Sequence, residues 1–242
     1  MRWLPLESNP EVMNSWSAAL GLSTESASFA DVYGLEEELL SMVPRPVYAV
    51  LMLFPISEEY EADRASERER VEKEREKLGP EFIKRMDENV VFIKQTINNA
   101  CGTIGLLHAL ANNPDIPIAP GPLTAFFQKC TSKSPSERAQ ILESDEAIAS
   151  VHAELAESGQ SQVPDLEEDV NLHFVCFVRS SVSHPSGLDR LIELDGRKAF
   201  PIDHGPLQTD LLSAVIPVVK KFIALSRDSL QFNLIALCQT PS

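Results

Sequence analysis

The amino-acid sequence predicts one globular body of mixed α and β class. Short apolar runs rich in β-branched and aromatic residues, VYAVLMLF, VVFIKQ, LHFVCFV, RLIELDG and FNLIALC, read as buried strands. Between them lie stretches with helical spacing and recognisable caps. Strand and helix signals continue on both sides of a charged insert, with no internal repeat and no domain-sized linker, so the chain is expected to form a single domain over residues 1–242.

The elements follow in order. Asn9 as N-cap, Pro10 at the first helical position and Gly21 beyond the end frame a helix over residues 10–20. Val47–Phe54 is a strand buried on both faces, closed by Pro55. From Glu58 to Glu88 charges of both signs alternate with few large apolar residues, which predicts a solvated helix or a mobile connector. Val90–Gln95 reads as a strand feeding a helix that starts near Asn99, and the Pro-rich NNPDIPIAPGP as a loop. Ser134, Pro135 and Glu137 supply an N-cap, a first-turn proline and a capping-box acid. A further helix fits DEAIASVHAELAES, ending at Gly159. After the acidic, aperiodic SQVPDLEEDVN come two strands, LHFVCFV and RLIELDG, joined by the loop SSVSHPSG. LLSAVIPVVKKFIAL has a helical pattern that Pro217 should kink or interrupt, and FNLIALC closes the chain as a strand.

Composition removes several function classes. Lys and Arg number 21 against 36 Asp and Glu, a formal net charge of −15, the wrong sign for gripping a phosphate backbone. A basic partner suits it better. No apolar run approaches the ~20 residues of a membrane span, and MRWLPLESNP lacks the regions of a secretory signal, so the expected location is cytoplasmic or nuclear. Cys101, Cys130, Cys176 and Cys238 lack CxxC spacing, against a zinc site and against a disulfide framework; free thiols are expected.

One stretch carries chemistry. In QTINNACGTIGLLH, Cys101 stands where a helix begins, and unpaired N–H groups with the helix dipole favour a thiolate there. Thiol catalysis also needs a base, a group that orients the base, and donors for an oxyanion. His173 opens one predicted strand and Asp195 ends its neighbour, so the pair can meet; Gln95 can aim its amide at Cys101. Each residue also has a structural reading, Cys101 as a small buried hydrophobe, His173 as a core histidine, Asp195 before Gly as a turn residue. Cys176, three positions from His173, points to the opposite face of its strand. His108 is two turns along from Cys101, His152 lies in a predicted surface helix, His184 in a loop, and His204 reads as structural.

The string QTINNACGTIGLLHALANN resembles the active-site segment of the ubiquitin carboxyl-terminal hydrolase family of cysteine proteases. RWLPLESNPEV, FADVYGLEEELLSMVPRPVYAVLMLFPISEEYE, LHFVCFV, ELDGRKAFPIDHG and FNLIAL are similar to the family's short, L-type members, in the same order and over nearly the whole chain. The resemblance implies an α+β fold similar to papain-like proteases, a central, mostly antiparallel sheet flanked by helices with a knotted backbone. It implies Cys101 as nucleophile, His173 as general base and acid, Asp195 as the orienting partner and Gln95 as oxyanion donor. The reaction implied is release of small or unfolded adducts from the terminal glycine of ubiquitin through a thioester, with no metal or organic cofactor.

Further expectations follow from the resemblance. A loop near residues 157–170 crosses the active site and limits the leaving group. Glu7, Glu11 and Asp31 lie beside the arginines of the ubiquitin tail, with Pro5 and Leu6 in apolar contact. Nedd8, closely similar to ubiquitin, is a second expected partner; nucleic acid and membrane are not, and a monomer is expected. The loop between the catalytic strands is longer than the family's tight turn. A reading from a different class, a ubiquitin-binding protein that stabilises free ubiquitin with an idle triad, stands beside the enzyme.

Overall fold

All of the predicted apolar strands except VVFIKQ join one sheet in the computed structural model, which describes residues 1–160, 170–180, 188–226 and 229–241. In chain order the elements are α1 (Pro10–Ala19), β1 (Ala27–Asp31), α2 (Glu37–Leu40), β2 (Val47–Pro55), α3 (Glu58–Leu78), α4 (Pro80–Asn89), α5 (Cys101–Ala111), α6 (Pro122–Cys130), α7 (Pro135–Glu143), α8 (Glu146–Ala156), β3 (Leu172–Ser180), β4 (Arg190–Leu194), β5 (Ile202–Pro206), α9 (Leu211–Leu225) and β6 (Asn233–Gln239). The strands run β1-β6-β2-β3-β4-β5, each antiparallel to its neighbour. The α+β expectation therefore holds. The expected knot depends on the path of the whole chain, which includes residues outside the described set.

Alternation along β3 divides the core. Phe174, Cys176 and Val178 point into a cluster with Trp16 of α1, Ile104 and Leu107 of α5 and Ile148 of α8, while Val175 and Phe177 join Phe54, Tyr60 and the apolar face of α9 on the other side. α5 lies close on the sheet because it carries glycines where it meets it. A Cβ at Gly102 would stand 3.0 Å from Leu6 Cβ and 3.4 Å from the Phe174 ring, and one at Gly105 3.2 Å from Leu51.

Several local expectations are corrected. Residues 90–95 form no strand. Their backbone is satisfied by side chains and loops instead of a ladder: Asn112 accepts from Val91 N–H and donates to its carbonyl, His108 Nε2 accepts from Ile93 N–H, and Arg138 donates to the Phe92 carbonyl. The helix expected near Asn99 begins at Cys101, with Asn99 itself at φ 64°, a left-handed conformation that asparagine tolerates. The charged stretch 58–88 is two helices, and Tyr60, Glu67 and Val71 of α3 are buried. α9 runs uninterrupted through Pro217. That proline is exposed, so the carbonyl it leaves without a donor can reach water. α2, α6, β1 and β5 had no counterpart among the predicted elements. The longer loop between β3 and β4, including His184, and most of the expected crossover loop fall on residues 181–187 and 161–169, outside the described set.

Candidate active site

Two facts of register bring the distant residues together. β3 and β4 pair with Cys176 opposite Leu194, so continuing by one residue sets Asp195 opposite Val175, diagonal to His173 and on its face. Diagonal neighbours on one face are within reach of long side chains. His173 Nε2–H donates to Asp195 Oδ1 over 2.7 Å, both residues buried. The remaining imidazole nitrogen faces Cys101, the first residue of α5, whose thiol hydrogen-bonds His173 and receives the backbone N–H groups of Phe174 and Gly102.

The electrostatics follow from these contacts. Burial opposes ionisation of Cys101, but the hydrogen bond and charge of His173 and the two N–H groups outweigh it, and the thiol lies below its ordinary value. Burial likewise opposes the imidazolium, yet the Asp195 carboxylate, with the Cys101 thiol, raises His173 to about 9. Asp195 is buried too, and His173 and Lys198 hold it well below the usual carboxylate range. The other three cysteines, free like Cys101, are driven the opposite way by burial, Cys130 to about 11 and Cys238 to about 12, with Cys176 raised further still. Among the four thiols, Cys101 alone is tuned toward the thiolate.

Gln95 ends the extended segment before α5. Its N–H donates to the Gly196 carbonyl over 2.9 Å, and a Cβ at Gly196 would stand 2.9 Å from Gln95 Cβ. Only glycine after Asp195 permits that approach. The Oε1 end of the Gln95 amide is buried and has no partner among the described residues, so the fold does not pin the amide from that end.

Cys101 opens into a cleft of about 400 Å³ lined by Pro5, Leu6, Glu7, Phe174, Phe232 and Asn233. Of the expected substrate contacts, Pro5, Leu6 and Glu7 thus share the cleft with the thiol. Glu11 and Asp31 do not line it: Glu11 is exposed in the first turn of α1, and Asp31 ends the edge strand β1. Ala156, just before the expected crossover segment, and Val170, its last residue, both border the cleft, and Gly159 packs on the Glu7 carboxylate. A larger groove of about 1310 Å³, between α3–α4 and α6–α7, contains none of the four candidate catalytic residues; the tuned thiol, not size, marks the site.

The other three histidines among the described residues have structural partners. His108 is buried against Phe92 and held by burial at about 4. His152 is not on a surface, as expected, but buried, its ring bonded to Thr103 at 2.7 Å and to the Leu4 carbonyl at 2.8 Å and tilted against Trp3 with 4.3 Å between ring centres. His204 sits on β5 with its ring on Glu193 at 2.8 Å.

Sequence reasoning missed the support behind Asp195. Tyr60 O–H donates to Asp195 Oδ2 over 2.9 Å, and Arg197 N–H donates to Oδ1 over 2.8 Å. Next to them, buried Lys198 pairs with Glu67 and, at 2.5 Å, with Glu193. Lys198→Met would remove the buried cation shared by two buried carboxylates, leaving Glu193 with the His204 ring and Glu67 with the more distant Arg70. A loss of about 3–5 kcal/mol of unfolding free energy is expected in denaturant titration, and an unchanged midpoint would mean that the carboxylates find other partners.

A thiol tuned by an imidazole that a carboxylate holds in turn, at a helix N-terminus beside an antiparallel sheet, is the constellation of a cysteine peptidase. Comparison with known proteins narrows this class. Residues 3–224 match the family described as ubiquitin carboxyl-terminal hydrolase, family 1, and the chain belongs to that family, a family of cysteine-type peptidases. It is 44% identical over 241 residues to ubiquitin carboxyl-terminal hydrolase 3 of Arabidopsis thaliana, covering 98% of this chain and 94% of the relative. To the isozyme L1 of Rattus norvegicus it is 39% identical over 242 residues, 99% of each chain. The fold is similar to the Trichinella spiralis UCH37 catalytic domain, solved bound to ubiquitin vinyl methyl ester, with a TM-score of 0.74, 24% identity and coverage of 100% and 97%.

Proposed function

We propose that this protein is a deubiquitinating thiol hydrolase that removes small or unfolded adducts from the C-terminal glycine of ubiquitin. The observation that carries the proposal is the lowered thiol of Cys101, bonded to His173 and bordering the cleft. The Cys101 thiolate attacks the glycine carbonyl carbon, and the tetrahedral oxyanion is met by the Gln95 amide and by N–H groups at the start of α5. His173 gives its proton to the departing amine as the carbon–nitrogen bond breaks, leaving a thioester. Water then attacks with His173 as base, Cys101 leaves as thiolate, and free ubiquitin departs. Asp195 holds the imidazole throughout. The deciding experiment is hydrolysis of a fluorogenic amide at ubiquitin's C-terminus. Turnover lost with Cys101→Ala supports the proposal; no turnover by wild type, with ubiquitin still bound, would favour a ubiquitin-stabilising protein.

The limit on adduct size rests on where the crossover segment begins and ends, since Ala156 and Val170 border the cleft. We extend the proposal to Nedd8 on its similarity to ubiquitin, tested with the corresponding Nedd8 amide. Recognition is proposed to use the net charge of −15, with Glu7, Glu11 and Asp31 meeting the basic tail. Raising salt from about 0.01 to about 0.15 M shortens the screening length from about 30 to about 8 Å. Affinity for ubiquitin, measured by calorimetry, should fall on the order of 10-fold over that range. Salt-insensitive binding would remove these acids from recognition.

A further inference from the structure

Asp195 is gripped from a side that thiol chemistry does not require. Its Oδ1 faces His173 at 2.7 Å, while its Oδ2 accepts the Tyr60 hydroxyl at 2.9 Å. Tyr60 comes from α3, the helix whose sequence reads as a solvated run of charge. Its ring is 2% exposed and sits 4.8 Å from Phe54 and 5.6 Å from Phe222, centre to centre. Burial first, then the carboxylates of Asp195 and Glu193, keep the phenol protonated, so toward Asp195 it can only donate.

The rest of one face of α3 is fastened to the segment that follows Asp195. Arg197 donates to Glu61 over 2.8 Å, Arg64 donates to the Arg197 carbonyl over 3.1 Å, and Glu67 pairs with Lys198. Residues 60, 64 and 67 are spaced three and four apart, so they share one stripe of the helix. The carboxylate plane matters because the terminal torsion of an aspartate is broad and roughly two-fold. With only His173 and Arg197 N–H on Oδ1, the second oxygen would be free to swing and carry Oδ1 off the imidazole.

We infer that Tyr60 is a positioning residue for the reaction, delivered by α3 to lock the Asp195 carboxylate so that His173 stays aimed at Cys101. The inference rests on the hydrolase function proposed above, and its test separates the two. Tyr60→Phe keeps the ring and removes only the hydroxyl. It is made both in the wild type and in an Asp195→Ala background, where no carboxylate remains to be held, and each is compared with its parent. Two rates are read: kcat and KM on the ubiquitin C-terminal amide, and alkylation of Cys101 by iodoacetamide near neutral pH, with Cys101→Ala as the blank.

In the wild-type background Tyr60→Phe should lower kcat about 10-fold, the effect of one hydrogen bond to a charged group, with KM unchanged and alkylation slowed about threefold in parallel. In the Asp195→Ala background neither rate should fall further. A smaller folded fraction would lower the rates in the Asp195→Ala background at least as much, so a loss confined to the wild-type background reads the hydroxyl's hold on the carboxylate. Equal losses in both backgrounds, or none in the first, would overturn the inference. Were wild type unable to hydrolyse the amide, the hydrolase function would fail while the alkylation cycle still decided the role of Tyr60.

Discussion

Cys101→Ala is expected to lower turnover of the ubiquitin C-terminal amide by about a million-fold, the scale on which losing a triad nucleophile disables a hydrolase. No other thiol is placed to substitute. Cys176 lies on the β3 face opposite His173, within the cluster packed by α1 and α5, and Cys130 and Cys238 are buried with their thiols pushed up. The residue is small, so alanine leaves the α5 packing on Leu6 and Phe174 intact and the unfolding midpoint should barely move. Ubiquitin affinity should persist, because the cleft walls at Pro5, Leu6 and Glu7 are untouched. Loss of turnover with retained binding, measured by single-turnover fluorescence and calorimetry, is the required pair of results. Equal rates for variant and wild type would remove Cys101 from the chemistry.

The legibility of this site in the sequence was uneven, for physical reasons. Cys101, His173 and Asp195 could be read because each occupies an element boundary: a helix start, a strand start and a strand end. Period two along LHFVCFV separated His173 from Cys176, and the sheet keeps them on opposite faces. Gln95 was placed near Cys101 through a strand that does not exist. The apolar residues Val90, Phe92 and Ile93 are buried as a strand would bury them, but the backbone of this stretch is met by Asn112 at Val91, His108 at Ile93 and Arg138 at Phe92, and no spacing rule reveals a polar side chain standing in for a ladder.

Tyr60 was illegible for another reason. The buried stripe of α3 is Tyr60, Glu67 and Val71, one aromatic, one charge and one aliphatic among many charges, so hydrophobic periodicity is nearly absent. Glu67 is buried because Lys198 is buried against it, and that matching of charges across 131 positions leaves no local mark. His152 shows the same limit: its helix looked solvated, yet its ring is satisfied by Thr103 and the Leu4 carbonyl. The short edge strands β1 and β5, ASFAD and IDHGP, carry one large apolar side chain each, since an edge has one neighbour and needs less of it.

His173→Ala is the second large effect, an expected loss of about ten-thousand-fold or more in kcat/KM, and its pH profile separates the imidazole's two roles. In the wild type His173 is raised to about 9 and Cys101 is lowered. A raised base holds its proton up to the raised value, so the imidazolium persists through neutral pH and is lost as pH climbs through about 9. A lowered thiol is ionised from below its ordinary value upward. Thiolate and imidazolium therefore coexist from the lowered thiol value to about pH 9, and kcat/KM should rise with thiolate formation and fall near pH 9 as the proton for the leaving amine is lost. Removing the imidazole takes away both limbs' causes at once. With the imidazole gone, burial still opposes the Cys101 thiolate, so the residual rate of the variant should climb only above the ordinary thiol range near 8.5 and show no fall above 9, because no imidazolium remains to be lost. Rates with a pre-formed thioester of ubiquitin, whose leaving thiol needs little protonation, should fall less steeply on the alkaline side than rates with the amide. A variant profile with the wild-type limbs would assign both ionisations to groups other than this Cys–His pair.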